Sequence, residues 1–328
     1  MNIPWIEKYR PLKLEDVIAD ENILTEMNNI IKNKNIPNMI FTGTPGIGKT
    51  TTILCIAYKL YGKYMKDAVL ELNASDDRGI KTIHNGIIYD FCNHKLPYTD
   101  EDKNKYASHK LIILDESDNM TEKVLPIISN LMDTYHKTTR FVFTCNVSSK
   151  IIESIQSRCK IIRFMRLNLN MIADRLEKII KIENNNFTEK IKYNKESLKE
   201  LATLSGGDMR YAINLLQLIC DRFKNINLKN ISILCDYPSH EIIENILLLI
   251  KDKKIKDALI EINKLKDSGY SVNDIFTTIF NFLKISTKIS EEYKMNILYI
   301  LSNYLYNVSK YTDTDINLIA FILELGKN

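Results

Sequence analysis

The stretch Gly43-Thr44-Pro45-Gly46-Ile47-Gly48-Lys49-Thr50 has the spacing G-x-x-x-x-G-K-[ST] of a phosphate-binding loop. An apolar segment at 38–42 precedes it and predicts a buried strand, and residues 51–61 follow with apolar side chains at helical spacing. Glycines in such a loop let backbone N–H groups converge on phosphate oxygens, and the start of the helix adds positive potential. A chance glycine turn would lack this strand and helix. The stretch therefore predicts that the chain binds a nucleoside triphosphate, with Lys49 on the β- and γ-phosphates and Thr50 on Mg²⁺.

The composition carries no export, membrane or zinc signal. The 328 residues are enough for two or three domains, and 45% of them are hydrophobic and 26% charged. The formal net charge of +4 is too small to indicate nucleic acid or membrane by itself, so any basic surface must be local. The six cysteines form no C-x-x-C pair, the N-terminus has no signal-peptide pattern, and no apolar run approaches ~18 residues. These features predict a reducing, intracellular compartment.

Strand and helix patterns alternate along residues 37–165, which predicts an α/β domain with a parallel sheet covered by helices on both faces. The strands are expected at 38–42, 69–72, 111–114, 141–145 and 160–164, because most of these segments are near-continuous apolar runs. The polar residues 97–109 predict a solvated loop. The opening segment, Pro4 to Pro11, is bracketed by prolines and is expected not to be helical. A packed N-terminal arm and a flap over the base of the nucleotide are equally consistent with it.

The rest of the chain is expected to be helical. Helices are predicted at 170–184, 196–204 and 209–223, with Asp208 as the N-cap of the last. About five amphipathic helices are predicted over 239–325, a region with no catalytic signature. The predicted domains are a nucleotide-binding domain at 1–165, a helical domain at 166–234 and an all-helical domain at 235–328. Most apolar positions of the last domain are expected to form its core. The domain is also a candidate for contacts between subunits of an oligomer.

Two acids follow the apolar strand that ends in Leu114. In an ATPase with a phosphate-binding loop the first, Asp115, holds Mg²⁺ and the second, Glu116, polarises the attacking water. Two acids after a strand also occur as a helix cap or turn, but the phosphate-binding loop upstream favours the catalytic interpretation.

Three further residues are candidates on weaker grounds. Asn146 follows the strand at 141–145 and would lie near the γ-phosphate, although an Asn turn is equally consistent with it. Arg158 has the side chain suited to stabilising charge on a phosphoryl group of a neighbouring subunit, but a surface ion pair is the commoner use. Arg210 heads a helix beyond the sheet domain and would either reach over the nucleotide or pair with an acid.

The stretch from Glu71 to Lys81 predicts a strand followed by a capped helix start, which contains Arg78 and Lys81. These two side chains and the helix N-terminus suit a DNA phosphate, whereas the residues alone favour a plain capped helix.

In this order, the segments resemble the small subunits of replication factor C, the eukaryotic clamp loader. The resemblance runs nearly end to end and is carried by residues 4–11, the phosphate-binding loop, 71–79, Leu114-Asp115-Glu116, Gln156-Ser157-Arg158-Cys159 and Gly207-Asp208-Met209-Arg210. It implies an AAA+ module, a helical lid and a helical collar that joins a heteropentameric ring. The function it implies is ATP hydrolysis coupled to opening a sliding clamp of the PCNA type and loading it onto primer–template DNA, in the nucleus, with ATP and Mg²⁺ as cofactors.

The resemblance also implies roles for individual residues. Asp115 and Glu116 are the Walker B acids, Asn146 is sensor 1, Arg210 is sensor 2, and Arg158 is an arginine finger for the neighbouring subunit's ATP. Arg78 and Lys81 track DNA inside the ring, and the helix that ends near Phe91 leans toward the clamp. The expected nucleotide-binding set is Ile6, Tyr9, Arg10, Ile18, Gly43, Thr44, Pro45, Gly46, Ile47, Gly48, Lys49, Thr50, Thr51, Asn146 and Arg210.

The sequence departs from the family pattern at two places. Ser117 stands where the family usually has alanine, and the loop at 97–109 is longer than usual. The serine is small and leaves both acids in place, so hydrolysis is expected to be retained. Two alternatives are a structural subunit that holds nucleotide without hydrolysing it and a different AAA+ machine. The complete set of Lys49, Thr50, Asp115 and Glu116 argues against the first alternative, and the absence of a winged-helix pattern in 239–328 argues against the second.

Overall fold

The computed structural model describes residues 3–73, 86–102, 105–121, 123–186, 190–234, 238, 240–286, 289–310 and 315–327. It divides into two units, residues 1–224 and 225–328. The boundaries predicted at 165/166 and 234/235 differ from this division, and the three-domain organisation stays a prediction.

A parallel sheet of five strands organises the first unit. The strands are β1 (Met39–Thr42), β2 (Val69–Asn73), β3 (Lys110–Asp115), β4 (Thr139–Cys145) and β5 (Lys160–Arg163), in the order β2-β3-β4-β1-β5. All four pairings are parallel, and each predicted strand is confirmed to within two residues. Because β1, β3 and β4 are adjacent, the segments that follow them meet at one edge of the sheet, where ligands bind in such folds.

Both faces of the sheet are covered, as the continuous apolar strands predict. Alternate residues of β1 belong to different cores: Met39 and Phe41 pack into one, and Ile40 packs into the other. The helices of this unit are α1 (Trp5–Lys8), α2 (Glu21–Asn33), α3 (Lys49–Tyr61), α4 (Met65–Ala68), α5 (Ile87–Asn93), α6 (Val124–Thr134), α7 (Glu153–Gln156), α8 (Leu169–Asn186), α9 (Lys195–Leu204) and α10 (Met209–Phe223).

The expectation that the opening segment is not helical is wrong. Residues Trp5–Lys8 form the single turn α1, with Pro4 at its N-cap. A proline at the start of a helix has no N–H to lose from the hydrogen-bond ladder, and Pro11 lies beyond the helix end. The prolines therefore bracket the turn instead of preventing it.

The loop at 97–109 is packed more closely than its polar composition suggests. Asp102 is buried and accepts hydrogen bonds from the Tyr64 hydroxyl at 2.7 Å and the Thr99 hydroxyl at 2.8 Å, and it pairs with Lys63 at 2.9 Å. Hydrogen bonds from Lys63 and Tyr64 lower the pKa of Asp102 to about 2. The ring of Tyr98 lies 4.8 Å from that of Tyr64. The expectation of a solvated loop is therefore wrong for this part of the segment.

The second unit is helical and has its own core. Its helices are α11 (Leu228–Leu234), α12 (His240–Lys251), α13 (Ile255–Asp267), α14 (Val272–Ile285), α15 (Glu291–Lys310) and α16 (Asp315–Lys327). Five of these lie in the segment for which about five were predicted. Ile243, Leu247, Ile275 and Phe276 are among the buried residues of this core. Two-residue strands also occur, β6 (Lys192–Tyr193) in the first unit and β7 (Asn225–Ile226) in the second. In the described ranges, no helix has the length and apolar character needed to cross a membrane.

Candidate active site

The phosphate-binding loop connects β1 to α3. Gly46 and Gly48 have φ angles of +71° and +92°, the left-handed region that glycine adopts at low cost, and Gly48 is the N-cap of α3. The loop therefore has the backbone conformation that brings N–H groups toward an anion at the start of a helix.

Lys49 lies at the centre of this loop. Its ammonium donates to the carbonyls of Gly43 at 2.5 Å and Thr44 at 2.9 Å, and to Asn146 Oδ1 at 3.0 Å. Burial lowers the pKa of Lys49, and the nearby Asp115 carboxylate opposes that shift. A buried ammonium whose hydrogen-bond acceptors are neutral fits an anionic ligand such as a phosphate, because charge-assisted bonds are stronger.

Oxygen ligands suited to Mg²⁺ meet at the ends of α3 and β3. The Thr50 hydroxyl lies 3.0 Å from Asp115 Oδ2 and 3.2 Å from Oδ1, and the Thr144 hydroxyl donates to Asp115 Oδ1. Mg²⁺ is usually held in nucleotide sites by one or two carboxylates together with substrate phosphates, so this pair fits the expected metal position. Sequence analysis did not identify Thr144, whose place beside Asp115 follows from the pairing of Leu114 with Phe143.

Glu116 has an unusual backbone conformation. Its φ is +53°, in the left-handed region, and its N–H donates to Asp115 Oδ1 at 3.1 Å and Thr144 Oγ1 at 3.3 Å. Its side chain is exposed, and Oε2 accepts a long hydrogen bond from Asn119 at 3.4 Å. Non-glycine residues in this region cost of order 1 kcal/mol and cluster at functional sites. The two successive acids therefore have different hydrogen-bond partners, Thr50 and Thr144 for Asp115 and Asn119 for Glu116.

Asn146 connects Lys49 to a further acid. Besides accepting from Lys49, Asn146 donates its backbone N–H to Asp118 Oδ2 at 3.3 Å, and its carbonyl accepts from the Thr42 hydroxyl at 3.4 Å. The structure therefore places Asn146 beside the phosphate-binding loop, and its predicted position near the γ-phosphate stays a prediction. Asp118 was missed because a contact between the turn after β3 and the end of β4 has no local sequence signal.

These residues line two neighbouring cavities. The smaller, of about 80 Å³, is lined by Pro45, Gly46, Ile47, Gly48, Lys49, Thr50, Asp115, Glu116, Asp118, Thr144, Cys145, Asn146 and Arg210. The larger, of about 330 Å³, includes the predicted residues Ile6, Tyr9, Arg10, Ile18, Gly46, Ile47, Gly48, Thr51 and Arg210. Leu167, just before α8, also lines it, as do Arg175 on α8 and Met209 and Ile213 on α10. These residues were not predicted, because apolar and basic positions on or beside a helix resemble ordinary helix surface. One cavity suits phosphates and metal, and the other suits a base and ribose.

Helix α10 contacts the phosphate-binding loop directly. The Met209 N–H donates to the Gly46 carbonyl at 3.1 Å. Asp208 caps the helix as predicted, accepting from the N–H groups of Arg210 at 2.8 Å and Tyr211 at 3.1 Å. A Cβ atom at Gly46 would lie 1.8 Å from Asp208 Oδ1, so only glycine fits this approach. Arg210 lines both cavities, and the structure brings it to the site as expected.

Arg158 lies elsewhere. Its guanidinium binds both carboxylate oxygens of Asp133, at 2.8 and 3.0 Å, and donates to the Ser154 carbonyl at 2.6 Å. It does not line either cavity, and its side chain is 39% exposed. Arg78 and Lys81 lie outside the described residues, so their DNA role stays a prediction.

Comparisons with known proteins identify the family. Residues 39–167 match the model described as "ATPase family associated with various cellular activities (AAA)", and residues 238–324 match "Replication factor C C-terminal domain". The chain is 40% identical over 296 residues to "Probable replication factor C subunit 2" of Dictyostelium discoideum, covering 90% of this chain and 84% of that protein. The chain belongs to the replication factor C small-subunit family. It is a nucleotide-binding ATPase subunit of a multi-subunit clamp loader.

Relatives of the replication factor C family differ in subunit name and origin. "Replication factor C subunit 4" of rice is 39% identical, over 90% of this chain and 84% of its own length. "Putative replication factor C small subunit R395" of Acanthamoeba polyphaga mimivirus is 37% identical, over 99% of this chain and 97% of its own length. Residues 75–80, 155–159 and 268–271 resemble replication factor C subunit 2, whereas relatives named subunit 2 and subunit 4 match the whole chain about equally well. A Thermotoga maritima RuvB structure, at TM-score 0.56 and 14% identity over 74% of this chain and 79% of its own, shows the fold alone.

Proposed function

We propose that this subunit binds ATP and Mg²⁺ in the two cavities and uses hydrolysis to control a heteropentameric ring. The ring would open a sliding clamp of the PCNA type and place it on primer–template DNA in the nucleus, during replication and repair. The observation that supports this most strongly is the smaller cavity, where Lys49, the Thr50–Asp115 pair and Glu116 meet Arg210 from α10. Phosphoryl transfer requires a cation on the phosphates, ligands for Mg²⁺, an acid that positions the attacking water and a second cation, and these residues can supply each of them.

Each group has a distinct task in this proposal. Bound ATP and Mg²⁺ supply a phosphoanhydride bond and a cation that neutralises developing charge. Lys49 would bind the β- and γ-phosphates, Thr50 and Asp115 would hold the metal, and Glu116 would take a proton from the attacking water. Asn146, which already bonds Lys49, would orient that water. Arg210 would bind the γ-phosphate, so that the position of α10 would depend on which nucleotide is bound.

The proposed partners lie around this nucleotide site. Arg158 would act on the ATP of a neighbouring subunit, Arg78 and Lys81 would contact DNA phosphates, and α5 would lean toward the clamp. ATP binding would favour the form that grips the open clamp, and hydrolysis would lower the affinity for clamp and DNA.

The chief alternative is a subunit that holds nucleotide without hydrolysing it. The exposed Glu116 beside the Thr50–Asp115 pair favours hydrolysis, because a purely structural site needs no base. Another AAA+ machine is the second alternative, and the match of residues 238–324 to the replication factor C domain argues against it.

The test is a steady-state ATPase assay of the assembled complex, with and without primed DNA and clamp. We expect DNA and clamp together to raise the rate, and Lys49→Ala to lower ATP affinity or turnover at this site. Lys59→Ala, at an exposed position of the same helix, is the matched control and should leave both unchanged. Unchanged nucleotide binding by the Lys49→Ala subunit would exclude the proposed phosphate site.

A further inference from the structure

The start of the chain is tied to the helical region by four hydrogen bonds. We call residues 5–9 the N-terminal arm. The arm's Trp5 N–H donates to Gln217 on α10 at 2.8 Å, and Arg175 on α8 donates to the Tyr9 carbonyl at 2.9 Å. Lys8 Nζ and the Tyr9 hydroxyl both donate to Oε1 of Glu183 on α8, at 2.7 and 2.5 Å. Within the described ranges, these are all the hydrogen bonds that the arm makes outside residues 4–10.

The carboxylate at the centre of these contacts is deeply buried. Glu183 has 0% of its surface exposed, whereas the Lys8 side chain is 40% exposed. A buried carboxylate is costly unless paired and hydrogen-bonded, so the positions of Lys8 and Tyr9 are strongly linked to Glu183. Burial and the Glu183 bond raise the pKa of the Tyr9 hydroxyl, which therefore stays a neutral donor.

The arm forms part of the wall of the larger cavity. Ile6 and Tyr9 line that cavity, together with Arg175, Met209 and Arg210 from α8 and α10. Lys8 and Glu183 do not line it. Pro11, just beyond the arm, also lines this cavity, and its carbonyl accepts from the Cys55 thiol of α3 at 3.3 Å. The arm is thus bonded to α8 and α10, while the chain immediately after it is bonded to the helix of the phosphate-binding loop.

We infer that Glu183 is a positioning residue for the nucleotide: through Lys8 and Tyr9 it fixes the arm to α8, so that the arm and the Arg210 helix form one wall of the base-side cavity. This rests on the proposed ATP site and adds a determinant of affinity that does not touch the ligand. Pre-organising a wall lowers the ordering cost of binding, so losing Glu183 weakens ATP binding and leaves the chemistry at Glu116 intact.

The arm carries its own probe, because Trp5 is the only tryptophan in the chain and is 6% exposed. The experiment compares wild type, Glu183→Gln and Lys8→Met in the full chain. Without nucleotide, we expect both variants to shift Trp5 emission to longer wavelength and to increase its quenching by acrylamide. With a fluorescent ATP analogue and Mg²⁺, we expect Kd to rise about tenfold, the effect of losing one charged hydrogen bond.

Three comparisons make this experiment specific. Glu177 lies on the same helix as Glu183, and its carboxylate pairs with Lys181 at 2.7 Å. Glu177→Gln should leave the Trp5 fluorescence and the Kd for the ATP analogue unchanged. Because Lys8 is half-exposed, Lys8→Met is expected to fold. It therefore tests the Lys8–Glu183 contact even if Glu183→Gln fails to fold. The effects of the two variants on Kd should be non-additive in the double variant, because both break one contact. In the assembled complex, KM for ATP should rise while kcat stays constant.

The inference is overturned if Trp5 and Kd in both variants match those of Glu177→Gln. It is also overturned if Trp5 becomes exposed while Kd stays at the wild-type value, or if kcat falls with KM unchanged. Failure of the wild-type chain to bind the ATP analogue would instead count against the proposed ATP site, and the Trp5 measurement would still report whether Glu183 holds the arm.

Discussion

At the residue scale, two adjacent acids, Asp115 and Glu116, have different surroundings in the turn that follows β3. The carboxylate of Asp115 is held by the hydroxyls of Thr50 and Thr144, whereas among the described residues that of Glu116 accepts a single hydrogen bond, from Asn119 at 3.4 Å. Glu116 itself adopts the left-handed backbone conformation, with φ of +53°. A carboxylate that other groups hold in place suits metal binding, and a freer one suits proton transfer.

This difference predicts distinct effects of replacing each acid. Glu116→Gln keeps the size and hydrogen bonding of the side chain but removes the base, so ATP should still bind while hydrolysis slows by about 10²–10⁴-fold. Asp115→Asn should instead weaken binding in the presence of Mg²⁺. Equilibrium binding of a fluorescent ATP analogue and single-turnover hydrolysis in the assembled complex measure the two effects. Loss of nucleotide binding in Glu116→Gln would mean that Glu116 is a structural acid.

The sequence predicts the residues of contiguous motifs better than those that meet across strands. Lys49, Thr50 and Asp115 follow from a loop and a strand end, each recognisable within a few residues. Thr144 and Asp118 contact the same site, but their positions depend on strand register and on a turn. Register is decided by packing over the whole sheet, so a single local pattern cannot reveal these two residues.

At the element scale, α10 and the phosphate-binding loop are joined at one glycine. Gly46 has φ of +71°, and its missing side chain leaves room for Asp208. Asp208 in turn caps α10, and a lost cap costs about 0.5–2 kcal/mol. The loop conformation and the start of the Arg210 helix therefore depend on each other even without nucleotide.

We predict that Gly46→Ala lowers the free energy of unfolding of the nucleotide-free chain by more than the left-handed backbone alone explains, which is about 1–2 kcal/mol. The excess arises because the new Cβ would displace Asp208. Gly206→Ala is the matched control, since Gly206 has φ of +58° and no atom near its missing Cβ. Denaturant unfolding of both variants measures the difference.

A double-mutant cycle isolates the contact itself. In an Asp208→Ala background, Gly46→Ala should cost less than it does in wild type, because the clash is gone. Equal costs for Gly46→Ala and Gly206→Ala in both backgrounds would mean that the approach of Asp208 to the loop has no energetic weight.

The elements themselves were predictable where hydrophobic pattern decides them. All five strands of the sheet were placed within two residues, because strands covered on both faces are continuous apolar runs. The turn α1 was missed because prolines at its ends resemble helix breakers. The packing of the 97–109 loop was missed because the burial of Asp102 depends on contacts with Lys63, Tyr64 and Thr99, and these contacts have no local sequence signal.

At the scale of the whole molecule, Arg158 is the residue proposed to act on the nucleotide of another subunit. It lines neither nucleotide cavity of its own chain, and Asp133 holds its guanidinium by two hydrogen bonds. A bidentate pair fixes the orientation of the arginine side chain, and the guanidinium can still bind a more highly charged anion such as a phosphate. The exposed pair therefore suits a side chain that is kept in position until a neighbour's nucleotide is presented to it.

We predict that Arg158→Ala leaves ATP binding by its own subunit intact and slows hydrolysis at the adjoining site by about 10³–10⁵-fold. Arg158→Lys should rescue little, because an ammonium cannot reproduce the planar fork of the guanidinium. Asp133→Ala should have a smaller effect, since it removes the carboxylate that holds the guanidinium but leaves Arg158 itself in place. ATP binding and single-turnover hydrolysis, measured in the assembled ring, compare the three variants.

Combining Arg158→Ala with inactive phosphate-binding loops separates action on the neighbour from action on its own nucleotide. When the neighbour's loop lysine is replaced by alanine, Arg158→Ala should cause little further loss, because the site it serves is already inactive. When only Lys49 of its own chain is replaced, Arg158→Ala should still lower the rate of the ring, because the neighbour's site remains active. The reverse pattern would place Arg158 at its own nucleotide and would contradict the geometry, in which Asp133 holds it outside both cavities.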